Sequence, residues 1–167
     1  MLERKIISSP ALDVRDARHG FQVEPDGTFE GYASLFGIVD MGGDEVAPGA
    51  FARSLQQRGA KAVRMLWQHD PSLPIGSWVS IKEDQRGLRV KGRLNLAVSR
   101  ARETLALLKE GAVDGLSIGF RVKNARKSAG GGIRRLLEVD LWEISIVTFP
   151  MLPQARITSV KQRAAFH

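Results

Sequence analysis

The stretch AVRMLWQHD at 62–70, with PIGSWVSIKED at 74–84 and GLRVKGRLNL at 87–96, decides the fold. All three segments are rich in β-branched and aromatic residues, and only the polar run Glu83 to Gly87 separates the second from the third, so they read as strands of a meander. The first is expected to run into a turn at Asp70-Pro71. Upstream, FEGYASLFGIV at 29–39 lies between the turn formers Pro25-Asp26-Gly27 and Met41-Gly42-Gly43 and reads as another strand. APGAFARSLQQRGA at 47–60 predicts a short helix, with Pro48 tolerated in the first turn, Phe51 and Leu55 four apart, and Gly59 as its stop. Downstream, SRARETLALLKEG at 99–111 predicts a second helix with Leu105 and Leu108 on one face, Ser99 or its neighbour as cap, and Gly111 as its end. GLSIGFRV at 115–122 and IRRLLEVDLWEISIVTFP at 133–150 read as two strands joined by the Gly-rich basic loop KNARKSAGGG at 123–132. RITSVKQRAAFH at 156–167 reads equally as a terminal strand or a polar tail. Many strands and two helices predict a β-rich α+β domain or barrel.

Length and composition narrow the function classes. At 167 residues, 43% hydrophobic and 26% charged, the chain suits one packed domain. It has no cysteine, which excludes disulfides, thiolate metal sites and cysteine nucleophiles, so covalent catalysis would need Ser, Thr, Lys or a carboxylate. No apolar run reaches the roughly 20 residues needed to span a bilayer, and MLERKIISSP lacks the apolar segment of a signal peptide, so a cytoplasmic chain without a membrane partner is expected. The net charge of +7 is densest at 121–135 and 156–163, which reads either as solvated surface or as a face for an acidic protein or nucleic acid.

Three residues stand out chemically. Of the histidines at 19, 69 and 167, His69 follows the apolar run VRMLW and precedes Asp-Pro, so it projects from a strand end, either as a turn histidine or as a general base. Ser117 lies in Gly115-Leu116-Ser117-Ile118-Gly119-Phe120, where alternation sends Leu116, Ile118 and Phe120 to one face and Ser117 with Gly119 to the other. The glycine leaves room for a substrate backbone beside the hydroxyl, or it marks a bulge. In Leu141-Trp142-Glu143-Ile144-Ser145-Ile146-Val147 the same alternation puts Glu143 and Ser145 opposite Trp142, Ile144 and Ile146. A carboxylate in so apolar a strand either meets solvent or orients an imidazole; Asp140, Asp44 and Asp70 are rival orienting acids. The letters G-x-S-x-G are present at 115–119, but FRVKN follows where the hydrolase elbow needs a helix. Metal-binding spacings of the His-Glu-x-x-His type and phosphate loops are absent, so neither metal nor cofactor is expected.

Four blocks carry a family resemblance: GYASLFGIVDMGGDEVAPGAF at 31–51, VRMLWQHDPSLPIGSW at 63–78, GLSIGFRV at 115–122, and EVDLWEISIVTFPMLPQA at 138–155. In this order they resemble the HK97-type prohead (capsid maturation) serine proteases of tailed phages, which are similar to the herpesvirus assemblins. The resemblance implies an assemblin-like β-barrel surrounded by a few helices, with a protease domain at 1–155 and a basic C-terminal tail at 156–167, flexible or left by processing. It implies Ser117 as nucleophile, His69 as general base and Glu143 as the third member, with Asp140 as fallback. The substrates implied are the scaffold region of the major capsid protein and the protease itself, cut inside the assembling procapsid in the host cytoplasm. A homodimer is expected by analogy; nucleic acid is not required. The owner is a phage, a prophage or a gene transfer agent. The alternatives are a catalytically silent capsid-assembly or scaffold protein of the same fold, or a basic nucleic-acid-binding β-barrel, which needs exposed aromatics among its basic residues.

Overall fold

The computed structural model describes residues 23–158, so His19 and His167 lie outside the described residues. In chain order the elements are β1 (Thr28–Leu35), β2 (Asp44–Val46), α1 (Ala52–Arg58), β3 (Arg64–Trp67), β4 (Asp70–Glu83), β5 (Gly87–Leu94), α2 (Ser99–Glu110), β6 (Gly115–Lys127), β7 (Arg134–Val147) and β8 (Ile157–Thr158). The strands form one sheet in the order β2-β7-β3-β4-β5-β1-β8, with β6 pairing β7. β3, β4 and β5 make the antiparallel meander expected from their turn signals. Strand β7 is the spine: β6 runs antiparallel along it from Gly115↔Val147 to Lys127↔Arg134, while β2 and then β3 pair with it in parallel.

Strands β1 and β6 are joined through residues 155–158. Tyr32 on β1 donates its N–H to the Arg156 carbonyl at 3.1 Å, Leu116 on β6 donates to the Ala155 carbonyl at 2.9 Å, and Ile157 donates to the Asp114 carbonyl at 2.9 Å. Gly31 makes the approach possible, because a Cβ there would strike the Arg156 carbonyl. The sheet therefore curls into a barrel-like wall with two helices against it, the β-rich architecture expected from the sequence. The first three residues of the segment set apart at 156–167 belong to this seam: Ile157 is buried at 3% exposure, and residues 159–167 lie outside the described residues. Inside the wall, Phe29 and Trp78 pack edge to face with ring centroids 5.6 Å apart, joined by Ile75, Leu88, Leu136 and Ile144, all fully buried. Each such side chain is worth roughly 1.5–3 kcal/mol of burial.

One local expectation is corrected. The turn after β3 falls at Gln68 and His69, not at Asp70-Pro71. A residue before proline prefers extended backbone, so Asp70 already belongs to β4 and the bend is displaced two residues earlier. The cap of α2 expected at Ser99 or its neighbour falls on the neighbour, Val98, but without a side-chain bond; Asn95 fixes the entry instead, accepting from Ala97 N through its side chain at 3.1 Å and from Val98 N through its carbonyl at 2.9 Å. No helix among the described residues is long and apolar enough to cross a membrane.

Candidate active site

Neighbouring strands β6, β7 and β3 bring the three singled-out residues to one place. Glu143 stands on β7 between Gly119 of β6 and Arg64 of β3, and Ser145 stands between Ser117 of β6 and Leu66 of β3. His69 lies two residues beyond the end of β3, after Gln68. Its Nδ1 meets Glu143 Oε1, and Glu143 is only 4% exposed. A carboxylate can only accept, so Nδ1 is the donor of this contact, and in the neutral imidazole that tautomer leaves the lone pair on Nε2. The second Glu143 oxygen accepts the Ser145 hydroxyl at 2.6 Å, and Ser145 Oγ in turn accepts the His69 backbone N–H at 3.0 Å.

Ser117 is 6% exposed, and its hydroxyl has no hydrogen-bond partner among the described residues. Residues paired directly across antiparallel strands hold their Cβ atoms roughly 4.5–5.5 Å apart, so Ser117 is one strand-step from Ser145, to which the His69 backbone is tied. Ser117 also borders a small pocket of about 30 Å³, whose lining includes Leu35, Asp40, Asp44, Leu116 and Leu152. The expected triangle is thus closed tightly at His69–Glu143 and left open at Ser117, as in many unliganded sites whose reactive hydrogen bonds form only with substrate.

Of the two readings of Gly119, the bulge is the one found: the β6–β7 register shifts between Gly119 and Phe120. A Cβ at Gly119 would also collide with the Glu143 carboxylate, so the glycine houses the acid. Asp140 lies elsewhere, its carboxylate held by Arg58 Nη2 and Trp142 Nε1, each at 2.9 Å. Burial raises the Asp140 pKa, but the Arg58 hydrogen bond and charge, the Trp142 N–H and Lys123 outweigh that and hold it below 3.8. Asp44 is gripped by Arg134 through two bonds of 2.9 Å, and Asp70 accepts from Ser72 N and Oγ at 2.8 and 2.6 Å.

Sequence reasoning missed the functional weight of Gln68, Ser145 and Thr148. Ser145 did carry a signal, a second polar residue on the Glu143 face of an apolar strand; the Gln68–Thr148 contact spans 80 residues and carried none. Trp78 is buried in the core, whereas Trp142 lies against the guanidinium groups of Arg58 at 4.4 Å and Arg121 at 4.6 Å.

Comparison with known proteins places this geometry. The chain matches the family model described as caudovirus prohead serine protease over residues 12–167. It is 40% identical over 138 residues to the prohead protease of Enterobacteria phage HK97, covering 81% of this chain and 60% of that protein. It is 37% identical over 114 residues to the capsid polyprotein of Pseudomonas phage PAJU2, covering 62% of this chain and 17% of that protein. The chain thus spans less than two thirds of the length of either relative. Among solved structures, the bacteriophage T4 capsid assembly protease superposes with a TM-score of 0.60 at 11% identity, covering 72% of this chain and 80% of that one, a likeness of fold. With a family match along nearly its whole length, this chain belongs to the caudovirus prohead serine proteases.

Proposed function

We propose that this chain is a serine endopeptidase that matures a phage-type procapsid by cutting the scaffold region of the major capsid protein and, in cis or trans, itself. The observation that carries the reading is the buried Glu143 carboxylate on His69 Nδ1, which leaves Nε2 as the base, with Ser117 on the adjacent strand. In this mechanism Ser117 Oγ attacks a peptide carbonyl while His69 Nε2 takes its proton. His69 then delivers that proton to the leaving amine, and water, activated by the same imidazole, releases the acyl group. Glu143 stays ionised throughout, fixing the tautomer and offsetting the imidazolium charge. No step needs a metal or cofactor. The name of the PAJU2 relative, a capsid polyprotein, supports capsid protein as the substrate class. Action inside the assembling procapsid and a homodimer belong to the same reading; sedimentation of the purified chain tests the latter.

The test is co-expression with the capsid protein, following new termini by mass spectrometry. Wild type is expected to trim the capsid protein and Ser117→Ala to leave it whole. If both trim it alike, Ser117 is not the nucleophile; if neither trims it, a silent assembly protein is the better reading.

A further inference from the structure

The backbone beneath His69 is strained. Gln68 and His69 have φ of 52° and 59°, the left-handed region that side-chain-bearing residues seldom enter, and they do so consecutively. Such residues are strained and persist only where their surroundings over-determine them. Strand β7 supplies the restraint. Gln68 N donates to the Ile146 carbonyl at 3.0 Å, Gln68 Nε2 donates to Thr148 Oγ1 at 2.7 Å, and Thr148 N returns a bond to Gln68 Oε1 at 3.2 Å. The remaining tie is the Ser145 hydroxyl, fully buried, which serves two partners at once.

Its directions are fixed. The His69 amide can only donate and the carboxylate can only accept, so the single Ser145 proton goes to Glu143 Oε2 while a lone pair takes the His69 N–H. A closed ring results: His69 backbone, Ser145 Oγ, the Glu143 carboxylate, His69 Nδ1. Glu143 alone would leave the imidazole free to swing with its carboxylate about the Glu143 side-chain torsions. Ser145 removes that freedom by holding the second oxygen and the histidine main chain with one atom.

We propose that Ser145 is a positioning residue of this site, which holds the strained His69 backbone and the Glu143 carboxylate in one rigid ring so that Nε2 is presented to Ser117. The inference rests on the protease reading for its kinetic consequence, but the ring itself is observable without turnover. In the Ser117→Ala chain, labelled with ¹⁵N-histidine, the His69 Nδ1 proton is expected as a slowly exchanging, strongly downfield resonance. Ser145→Ala in that background is expected to broaden it or move it upfield. In the chain with Ser117 intact, Ser145→Ala is expected to lower kcat on a peptide substrate 10- to 100-fold with KM within twofold, since a displaced base weakens the chemical step and not ground-state binding. Ser145→Cys, similar in size but a weaker donor, is expected to lie between, and serves in its place should the alanine variant not fold.

An unchanged Nδ1 resonance together with kcat within threefold of wild type, in a variant with the wild-type urea midpoint, overturns the proposal. If wild type cleaves nothing while the resonance still depends on Ser145, the ring stands and the protease reading fails instead.

Discussion

Glu143 is a buried carboxylate whose donors all come from outside its own strand position: the ring N–H of His69 and the hydroxyl of Ser145. Removing its charge while keeping its shape is expected to be costly to catalysis and mild to the fold. Glu143→Gln should cut kcat by on the order of 10⁴, the loss typical when the orienting acid of a triad becomes an amide and the wrong tautomer results; steady-state kinetics on a peptide substrate checks it. Gly119 is the inverse case. Gly119→Ala forces a methyl group against the Glu143 carboxylate and is expected to destabilise by about 1–3 kcal/mol, read from urea unfolding, with activity lost in proportion to the displaced acid. Sequence alternation placed Ser117, Gly119, Glu143 and Ser145 on faces that do share the site, because period-two geometry survives in β6 and β7 near these residues. It could not say that Gly119 faces Glu143, because the pairing register of two strands is not written in either one.

At the scale of elements, α1 is fastened to β7 by an ionic clasp: Arg58 on Asp140 at 2.9 Å, and the Ser54 hydroxyl accepting the Leu141 N–H at 2.8 Å. Asp140 has a pKa held below its ordinary value, so it contributes stability that is fully present above the unfolded-state value near 3.8 and is lost as pH falls through the lower folded-state value. Asp140→Asn is therefore expected to be less stable than wild type at pH 7, and this difference should shrink below pH 3, as followed by circular dichroism during acid titration. The β6–β7 hairpin carries the opposite situation at its far end, where Arg126 pairs directly with Arg135, both exposed. Arg126→Glu replaces this repulsion by attraction while leaving Arg135 opposite Glu45 of β2, and is expected to stabilise by roughly 0.2–1 kcal/mol in urea unfolding. The gain should fade in 1 M salt, where screening is short-ranged. Helix ends and strand cores were legible here because Gly59, Gly111 and the apolar runs act locally. The turn at 68–69 was not, since it is dictated by bonds to β7 nearly 80 residues away.

On the scale of the whole molecule, closure of the wall depends on a few residues near the end of the described chain. Ala155, Arg156 and Ile157 bond to both β1 and β6, and Gly115 next to them leads into Ser117. A chain ending at Pro153 is expected to lose at least about 3 kcal/mol, from the burial of Ile157 and the orphaned backbone groups of β1 and β6, measurable as a lower urea midpoint. Composition foretold a strand-rich domain but not this seam, because RITSV has too few residues for periodicity to distinguish strand from tail. The long-range pairing of β3 with β7, from Arg64↔Glu143 to Trp67↔Ile146, has a consequence in time. The meander holding His69 and the hairpin holding Ser117 and Glu143 are each local and quick to form, whereas their parallel junction must close a long loop and comes late. On the proposed reading, the base and the nucleophile lie on separate pieces of the chain, and the site is assembled only when those pieces dock.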